Sequence, residues 1–354
     1  MLKIHQLTKQ FASGFVISLD IEVESGITVL FGRSGCGKTT TLGMISGLID
    51  PDRGRIALDD SVFFDAGAGL SLPSYEREVG YIFQQPSLFP HLTVDANIRY
   101  GTDHQSDISD LVARFEIDSL LSRYPREISG GQQQRVSLAR SLASNPRALL
   151  MDEPFSALDA GVRTQFQSDL LRVKEQTEMP ILVVTHSISE AFALADRLIV
   201  MDEGHVVESY DALELFARPR KRVTAELLGV QNLMPCRVKS RLDGAIIVEF
   251  QGLDFVVDDD DARCEPGDSA WLGIRAVDVR LVVTDSRREN ELVATVHRII
   301  RSVVTNQIHL NGHSPDGDFS LVMDLDEHHC KQHHIKQGDT VRVALKRNKA
   351  FICQ

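Results

Sequence analysis

Gly32-Arg33-Ser34-Gly35-Cys36-Gly37-Lys38-Thr39 matches the spacing G-x-x-x-x-G-K-[ST] at every position. Glycines let backbone N–H groups converge on phosphate oxygens, a lysine brings positive charge to the terminal phosphates, and a threonine hydroxyl suits Mg2+. The helix that follows would add the positive end of its dipole. A chance glycine-rich turn is the plain alternative, and eight matched positions between a strand and a helix leave it little room. Asp152 and Glu153 close the apolar run Leu149-Leu150-Met151. Two adjacent acids at a strand end can divide the work, one holding the metal and the next polarising an attacking water. An ordinary acidic loop is the competing reading. Ser129-Gly130-Gly131 opens a second helix, where a hydroxyl and exposed N–H groups offer another anion site. A serine cap with flexible glycines is the competing reading. Two anion-binding helix starts in one chain can hold one nucleotide between two copies. His186 follows a strand alone, a setting in which histidine is more often structural than catalytic.

The elements that must place these groups read as short buried strands alternating with amphipathic helices. Residues 27–31 are an apolar run between Gly26 and Gly32, a buried strand feeding the loop, and residues 38–46 are a helix that Gly47 stops. Residues 79–83, 148–151, 181–185 and 197–201 read as further strands, and 131–143, 161–177 and 188–195 as helices. Val162, Phe166, Leu170 and Val173 carry the helical spacing of the second of these. Residues 16–23 alternate as a half-buried antiparallel strand does. The alternation of strands and helices implies an α/β architecture, a mostly parallel sheet covered on both faces. Beyond Phe216 the character changes. Arg218-Pro219-Arg220-Lys221-Arg222 leads to a linker near Gly229. Short β segments follow at 245–250, 254–257, 270–274, 279–283, 292–300, 306–310, 319–323 and 340–345, the pattern of a small β-barrel.

The 354 residues suggest two or three domains at ~100–200 residues each. A hydrophobic content of 43% with 25% charged residues is ordinary for a soluble globular protein. The net charge of −12 argues against nucleic acid as the main partner, because phosphate contacts need a basic surface. No apolar run approaches the ~18–20 residues of a membrane span, and Met1-Leu2-Lys3-Ile4 enters a strand pattern rather than a secretory signal. Five scattered cysteines, at 36, 236, 264, 330 and 353, fit a reducing, cytoplasmic compartment.

Taken together, residues 32–39, Ser129-Gly130-Gly131-Gln132-Gln133, Leu149-Leu150-Met151-Asp152-Glu153-Pro154, Ser156-Ala157-Leu158-Asp159 and His186 resemble the nucleotide-binding subunit of ATP-binding-cassette transporters over residues 1–230. The resemblance implies an α/β P-loop ATPase cassette, a mixed sheet with a helical subdomain, followed over residues 231–354 by a small OB-like β-barrel regulatory domain. It implies ATP and Mg2+ as cofactors. The implied ATP contacts are Phe11 on adenine, with Phe15 a rival, and Gly32, Arg33, Ser34, Gly35, Cys36, Gly37, Lys38, Thr39 and Thr40 of the loop. A second copy packed head to tail would add Ser129, Gly130, Gly131 and Gln132, with Asp159 across the dimer interface. Thr39, Asp152 and Gln84 would hold Mg2+, and Gln84 would also sense the membrane subunit. Glu153 and His186 would be catalytic, His186 at the γ-phosphate. Two membrane-spanning permease subunits, reached through residues 88–94, and indirectly a substrate-binding protein are the implied partners, at the cytoplasmic face of the membrane. Ile128 stands where the family usually has leucine. Cys36 occupies a variable loop position, where a reactive thiol would let thiol reagents block the nucleotide site.

Gly47-Leu48, Gly54-Arg55-Ile56, Asp65-Ala66, Arg77-Glu78-Val79-Gly80-Tyr81, Leu88-Phe89-Pro90-His91, Arg99-Tyr100-Gly101 and the stretch 274–281 are most similar to the ATPases of molybdate importers. Molybdate or tungstate is therefore the expected cargo, although importers of sulfate, ferric iron, polyamines and sugars share the same plan. Residues 290–354 resemble that group's oxyanion-binding module, altered at its opening, Ser286-Arg287-Arg288-Glu289-Asn290. DNA-associated cassette ATPases need long coiled coils between loop and signature, where this chain has only residues 40–128. Ribosome-associated relatives carry two cassettes per chain, and a small-molecule phosphotransferase leaves residues 129–132 unexplained. His328-His329-Cys330 with His333-His334 reads as a solvated loop rather than a site for a soft divalent metal, and the acidic run 258–261 as a solvated turn.

Overall fold

The apolar runs of the first part of the chain become the strands of one mixed sheet. In chain order these are β1 (Leu2–Gln10), β2 (Val16–Val23), β3 (Gly26–Gly32), β4 (Arg53–Leu58), β5 (Ser61–Asp65), β6 (Leu70–Ser71), β7 (Val79–Ile82), β8 (Ala148–Asp152), β9 (Pro180–Thr185), β10 (Arg197–Asp202) and β11 (His205–Asp211). The structure, a computed structural model, describes residues 1–102, 107–258, 264–283 and 289–354. It divides into two compact units, Met1–Leu213 and Glu214–Gln354.

In the first unit the sheet order is β6-β5-β4-β1-β2-β11-β10-β3-β9-β8-β7. Strands β10, β3, β9, β8 and β7 run parallel to one another, and β11 pairs antiparallel with β10. β8 and β9 are buried at every residue, as a strand covered on both faces must be. The other flank is antiparallel, which the expectation of a mostly parallel sheet did not anticipate. The reason is local: β1–β2 and β4–β5 are joined by short turns, and a short turn can only reverse a strand, not carry it across a parallel step. The helices are α1 (Lys38–Ser46), α2 (Val94–Ile98), α3 (Ser109–Arg114), α4 (Gly130–Ala143), α5 (Ala160–Gln176) and α6 (Ile188–Leu194). α2 and α3 pack on α4, a helical layer beside the sheet.

Gly47 ends α1 in the left-handed region, with its N–H on the carbonyl of Gly43. Arg77 holds that end in place. Its guanidinium is fully buried and donates to the carbonyls of Met44, Ile45 and Leu72, each at 2.8 Å. The carbonyls of Met44 and Ile45 lie in the last turn of α1, where a cation also meets the negative end of the dipole.

The second unit contains two five-stranded antiparallel sheets around one apolar core. The first has the order 253–258, 245–250, 232–242, 269–274, 351–353, and the second 279–281, 340–345, 291–300, 305–314, 317–326. Val248, Phe255 and Leu272 of one sheet share the core with Ile308, Leu321 and Val343 of the other. The segment 290–354 does not close on itself, because its last strand, Phe351–Cys353, pairs with Ser269–Ile274 of the first sheet. The eleven-residue strand Asn232–Leu242 was absent from the sequence reading. Pro235 argues against a strand interior and a register shift after Val238 breaks the alternation, although Met234, Cys236 and Val238 all point inward.

Residues 328–332 lie in the short helix Glu327–Gln332, not in a loop. Asp326 caps it by accepting from the His329 N–H at 2.8 Å, and Glu327 pairs with Lys331 one turn on at 2.8 Å. Residues 259–261 of the acidic run and 286–288 of the altered opening lie outside the described residues. Asp258 is paired with Arg347.

Candidate functional site

The phosphate-loop residues sit where β3 gives way to α1, and the other polar candidates follow from neighbouring parallel strands. Asp152 ends β8 and His186 follows β9, which lies between β3 and β8. Side chains at the carboxyl ends of adjacent parallel strands converge on one crevice, the usual ligand position in an open α/β sheet.

Two glycines of the loop answer to separate demands. A Cβ on Gly32 would lie 2.2 Å from the Met201 carbonyl oxygen, so the loop's first residue is held small by β10. Gly37 has φ +106°, a conformation that disfavours any side chain, and it begins α1 with no side-chain hydrogen bond capping it. The first turn of α1 therefore keeps its N–H groups for an external acceptor.

The Lys38 ammonium is buried and donates to the carbonyls of Gly32 at 2.8 Å and Arg33 at 2.9 Å. The loop thus folds around its own cation. The Thr39 hydroxyl donates to Asp152 Oδ1 at 3.0 Å. Burial holds the Asp152 carboxyl above the usual aspartate range, the neighbouring Glu153 charge adds to this, and Thr39 and Lys38 oppose it. Two hard oxygen donors side by side, at the foot of a loop that presents N–H groups, fit a magnesium-bound phosphate.

Glu153 has φ +44°, a strained value for a residue with a side chain. Its own N–H donates to the Val184 carbonyl at 3.0 Å, which pins the turn. The result is a carboxylate between two loops: Oε1 lies 2.9 Å from His186 Nδ1 and Oε2 accepts from Gln84 Nε2 at 3.4 Å. Gln134 of α4 in turn donates to the Gln84 carbonyl at 3.3 Å.

A cavity of about 440 Å³ is lined by Phe11, Phe15, Ser34, Gly35, Lys38, Thr39, Thr40 and Glu153, among others. Both phenylalanines border it, their ring centres 6.1 Å apart, so the geometry does not choose between them. Ser129, Gly130, Gly131, Gln132 and Asp159 do not line it. Ser129 and Gln132 instead form a closed capping box at the start of α4: the Ser129 N–H donates to the Gln132 side chain at 2.9 Å and the Gln132 N–H to the Ser129 hydroxyl at 3.4 Å. Asp159 caps α5, accepting from the Val162 N–H at 3.0 Å.

Cys36 does not offer the reactive thiol expected from its place in the loop. It is buried, and burial pushes its pKa up despite the opposing charge of Lys38, so the thiolate that attacks reagents is scarce.

Two residues that sequence reasoning passed over shape the surroundings. In sequence Arg77 is only part of the cargo pattern at residues 77–81, whereas in the fold it fastens the far end of α1. Asn97 is fully buried, accepts from the Phe89 N–H at 2.8 Å and donates to the carbonyls of Phe89, Leu92 and Thr93. It orders the loop 88–94, and its asparagine side chain in the short helix Val94–Ile98 was a weak signal for it.

The ABC transporter family profile matches residues 16–156. Over 249 residues the chain is 41% identical to the Fe(3+) ions import ATP-binding protein FbpC of Pseudomonas fluorescens, covering 68% of this chain and 70% of that one. It is 36% identical over 284 residues to the molybdenum import ATP-binding protein ModC of Vibrio parahaemolyticus, covering 77% and 76%. The ModC of Haemophilus influenzae is 42% identical over 217 residues, and the chain spans 61% of its length. Among solved structures, the chain is similar in fold to cbiO1 of Clostridium perfringens, part of an ABC transporter complex, with a TM-score of 0.54 at 24% identity over 61% of this chain and 90% of that one. A second similar structure, an ATP-binding cassette solved as a dimer in a post-hydrolysis state with ADP and Pi, has a TM-score of 0.52 at 27% identity over 60% and 99%.

Proposed function

The chain belongs to the ABC transporter family, and on that premise we propose that it is the ATP-hydrolysing subunit of an importer that energises uptake of an oxyanion, molybdate or tungstate. The observation that carries the ATPase reading is the crevice at the ends of β3, β8 and β9, where a cradled lysine, a hydroxyl–carboxylate pair and an oriented glutamate meet.

In this reading Gly32 to Thr40 hold the phosphates through N–H groups and the Lys38 charge, with Phe11 or Phe15 against the adenine. Thr39 and Asp152, with Gln84, hold Mg2+, which when bound neutralises phosphate charge in the reaction. Glu153 accepts the proton of the attacking water, and His186, 2.9 Å away, orients that carboxylate and reaches toward the terminal phosphate. Ser129, Gly130, Gly131 and Gln132 serve the nucleotide of a second copy packed head to tail, with Asp159 at the same interface. The dimeric state of the similar cassette supports this arrangement. Loop 88–94, ordered by Asn97, is the surface offered to two membrane-spanning permease subunits at the cytoplasmic face. Residues 231–354 act as the regulatory part.

Cargo rests on the printed functions of the relatives. Several molybdenum importers match at 36–42% identity. Ferric iron is the second reading, favoured by the 41% identity to the iron importer. The deciding experiment measures cellular elements in the native host at trace molybdate, comparing wild type with Glu153→Gln. A selective fall in molybdenum supports the proposal. Unchanged molybdenum with a fall in iron overturns the cargo and leaves the ATPase standing.

A further inference from the structure

We propose that Asp326, His328 and His329 in the second unit form a binding site for a divalent transition-metal ion of the nitrogen-preferring class, such as Zn2+, Ni2+ or Cu2+. One carboxylate oxygen and two imidazole nitrogens from these residues all lie within 4.8 Å of one another. Two ligands at about 2.1 Å from one ion stand at most about 4.2 Å apart. The three side chains are exposed, so closing by about an ångström needs only side-chain rotation. Imidazole with carboxylate selects zinc, nickel and copper over calcium or magnesium, which prefer all-oxygen sets.

The local backbone already organises the donors. Asp326 Oδ1 is tied to the His329 N–H, which leaves Oδ2 facing His329 Nδ1 at 2.7 Å. The His333 ring, four residues on, stacks on His329 with centres 6.4 Å apart and planes at 26°. Asp326 and His329 line a cavity of about 520 Å³, so water can complete the coordination on that side. Other exposed histidine–carboxylate pairs, His5 with Asp20 and His313 with Asp318, gain no third donor among the described residues. This site is separate from the nucleotide crevice and does not depend on the transport reading.

The test is equilibrium dialysis of the untagged full-length chain against Zn2+, with bound metal read by elemental mass spectrometry. One equivalent at micromolar affinity is expected. The double variant His328→Ala/His329→Ala should weaken it about 10–100-fold, and His313→Ala should leave it unchanged. Asp326→Asn keeps a good helix cap while removing the charge, so its loss of affinity reports ligation rather than unfolding, with circular dichroism as the check. Co2+ bound in place of zinc should give no thiolate charge-transfer band. A wild type that takes up no zinc, a double variant that binds as well as wild type, or a thiolate band pointing to the cysteines would each overturn the site.

Discussion

α1 and α4 both begin at glycine-rich turns after a bend in the chain, yet they finish their first turns in opposite ways. At α1 the capping position is Gly37, which has no side chain to give, and the helix start remains open toward the cavity. At α4 the capping position is Ser129, whose hydroxyl accepts from the Gln132 N–H while its own N–H donates to the Gln132 side chain, all within the same chain. The first is an anion site by default. At the second, the Ser129 hydroxyl and the Gln132 N–H already engage each other, so enlisting either in the proposed contact with a partner's nucleotide means replacing about 1 kcal/mol of capping energy. Similar motifs in sequence thus differ in how far their first turns are already engaged.

The largest effect that tests this contrast is Lys38→Ala. Removing the cation that the open loop cradles should lower steady-state ATP hydrolysis by about 10²–10³-fold, with weakened binding of a fluorescent nucleotide. Retained hydrolysis would break the assignment of α1 as the phosphate site. Next, Gly131→Ala places a Cβ 2.2 Å from Val162 Cγ1 at the start of α5, so overpacking should cost about 1–3 kcal/mol in a denaturant melt. Gly130→Ala meets nothing within 4 Å and should stay within about 0.5 kcal/mol of wild type. Equal stabilities for these two would mean that α4 and α5 do not pack as described.

Ser129→Ala sharpens the comparison further. It should destabilise the nucleotide-free chain by about 1 kcal/mol, while Gly37, which contributes no cap, has no counterpart to lose. An unchanged melting temperature would show that the box is not formed in solution. The smallest effect concerns Asp152. Its carboxyl is held above the usual range by burial, so the folded state carries a penalty above that raised pKa, relieved as pH falls through it. Without nucleotide or metal, Asp152→Asn should therefore melt above wild type near neutral pH, and the gap should narrow as pH falls through the raised pKa toward the ordinary aspartate range. A gap that widens on acidification would reverse the sign of the burial argument.

Legibility differed between the two units for a physical reason. In the first, strands buried on both faces have nearly continuous apolar runs, and backbone-built phosphate sites demand glycine at set positions, so both leave strong marks in sequence. In the second, half-exposed antiparallel strands leave a weak alternation that Pro235 and one register shift were enough to hide, and the helix at 327–332 is too short to show a periodicity. The histidines there read as a solvated run until Asp326 supplied the cap that turns them into a cluster.

The sequence alone determined the phosphate loop, the acidic strand end after Met151, the lengths of most buried strands and the order of the motifs, because each depends on neighbours within a few residues. Tertiary structure decided the rest. It brought Gln84, Glu153 and His186 to one point from three separate strand ends, set the buried Arg77 against the end of α1 and Asn97 beneath the loop 88–94, and took Cys36 out of solvent. Those outcomes rest on packing and hydrogen bonds between residues far apart in the chain, and side-chain type and spacing carry no record of such distances.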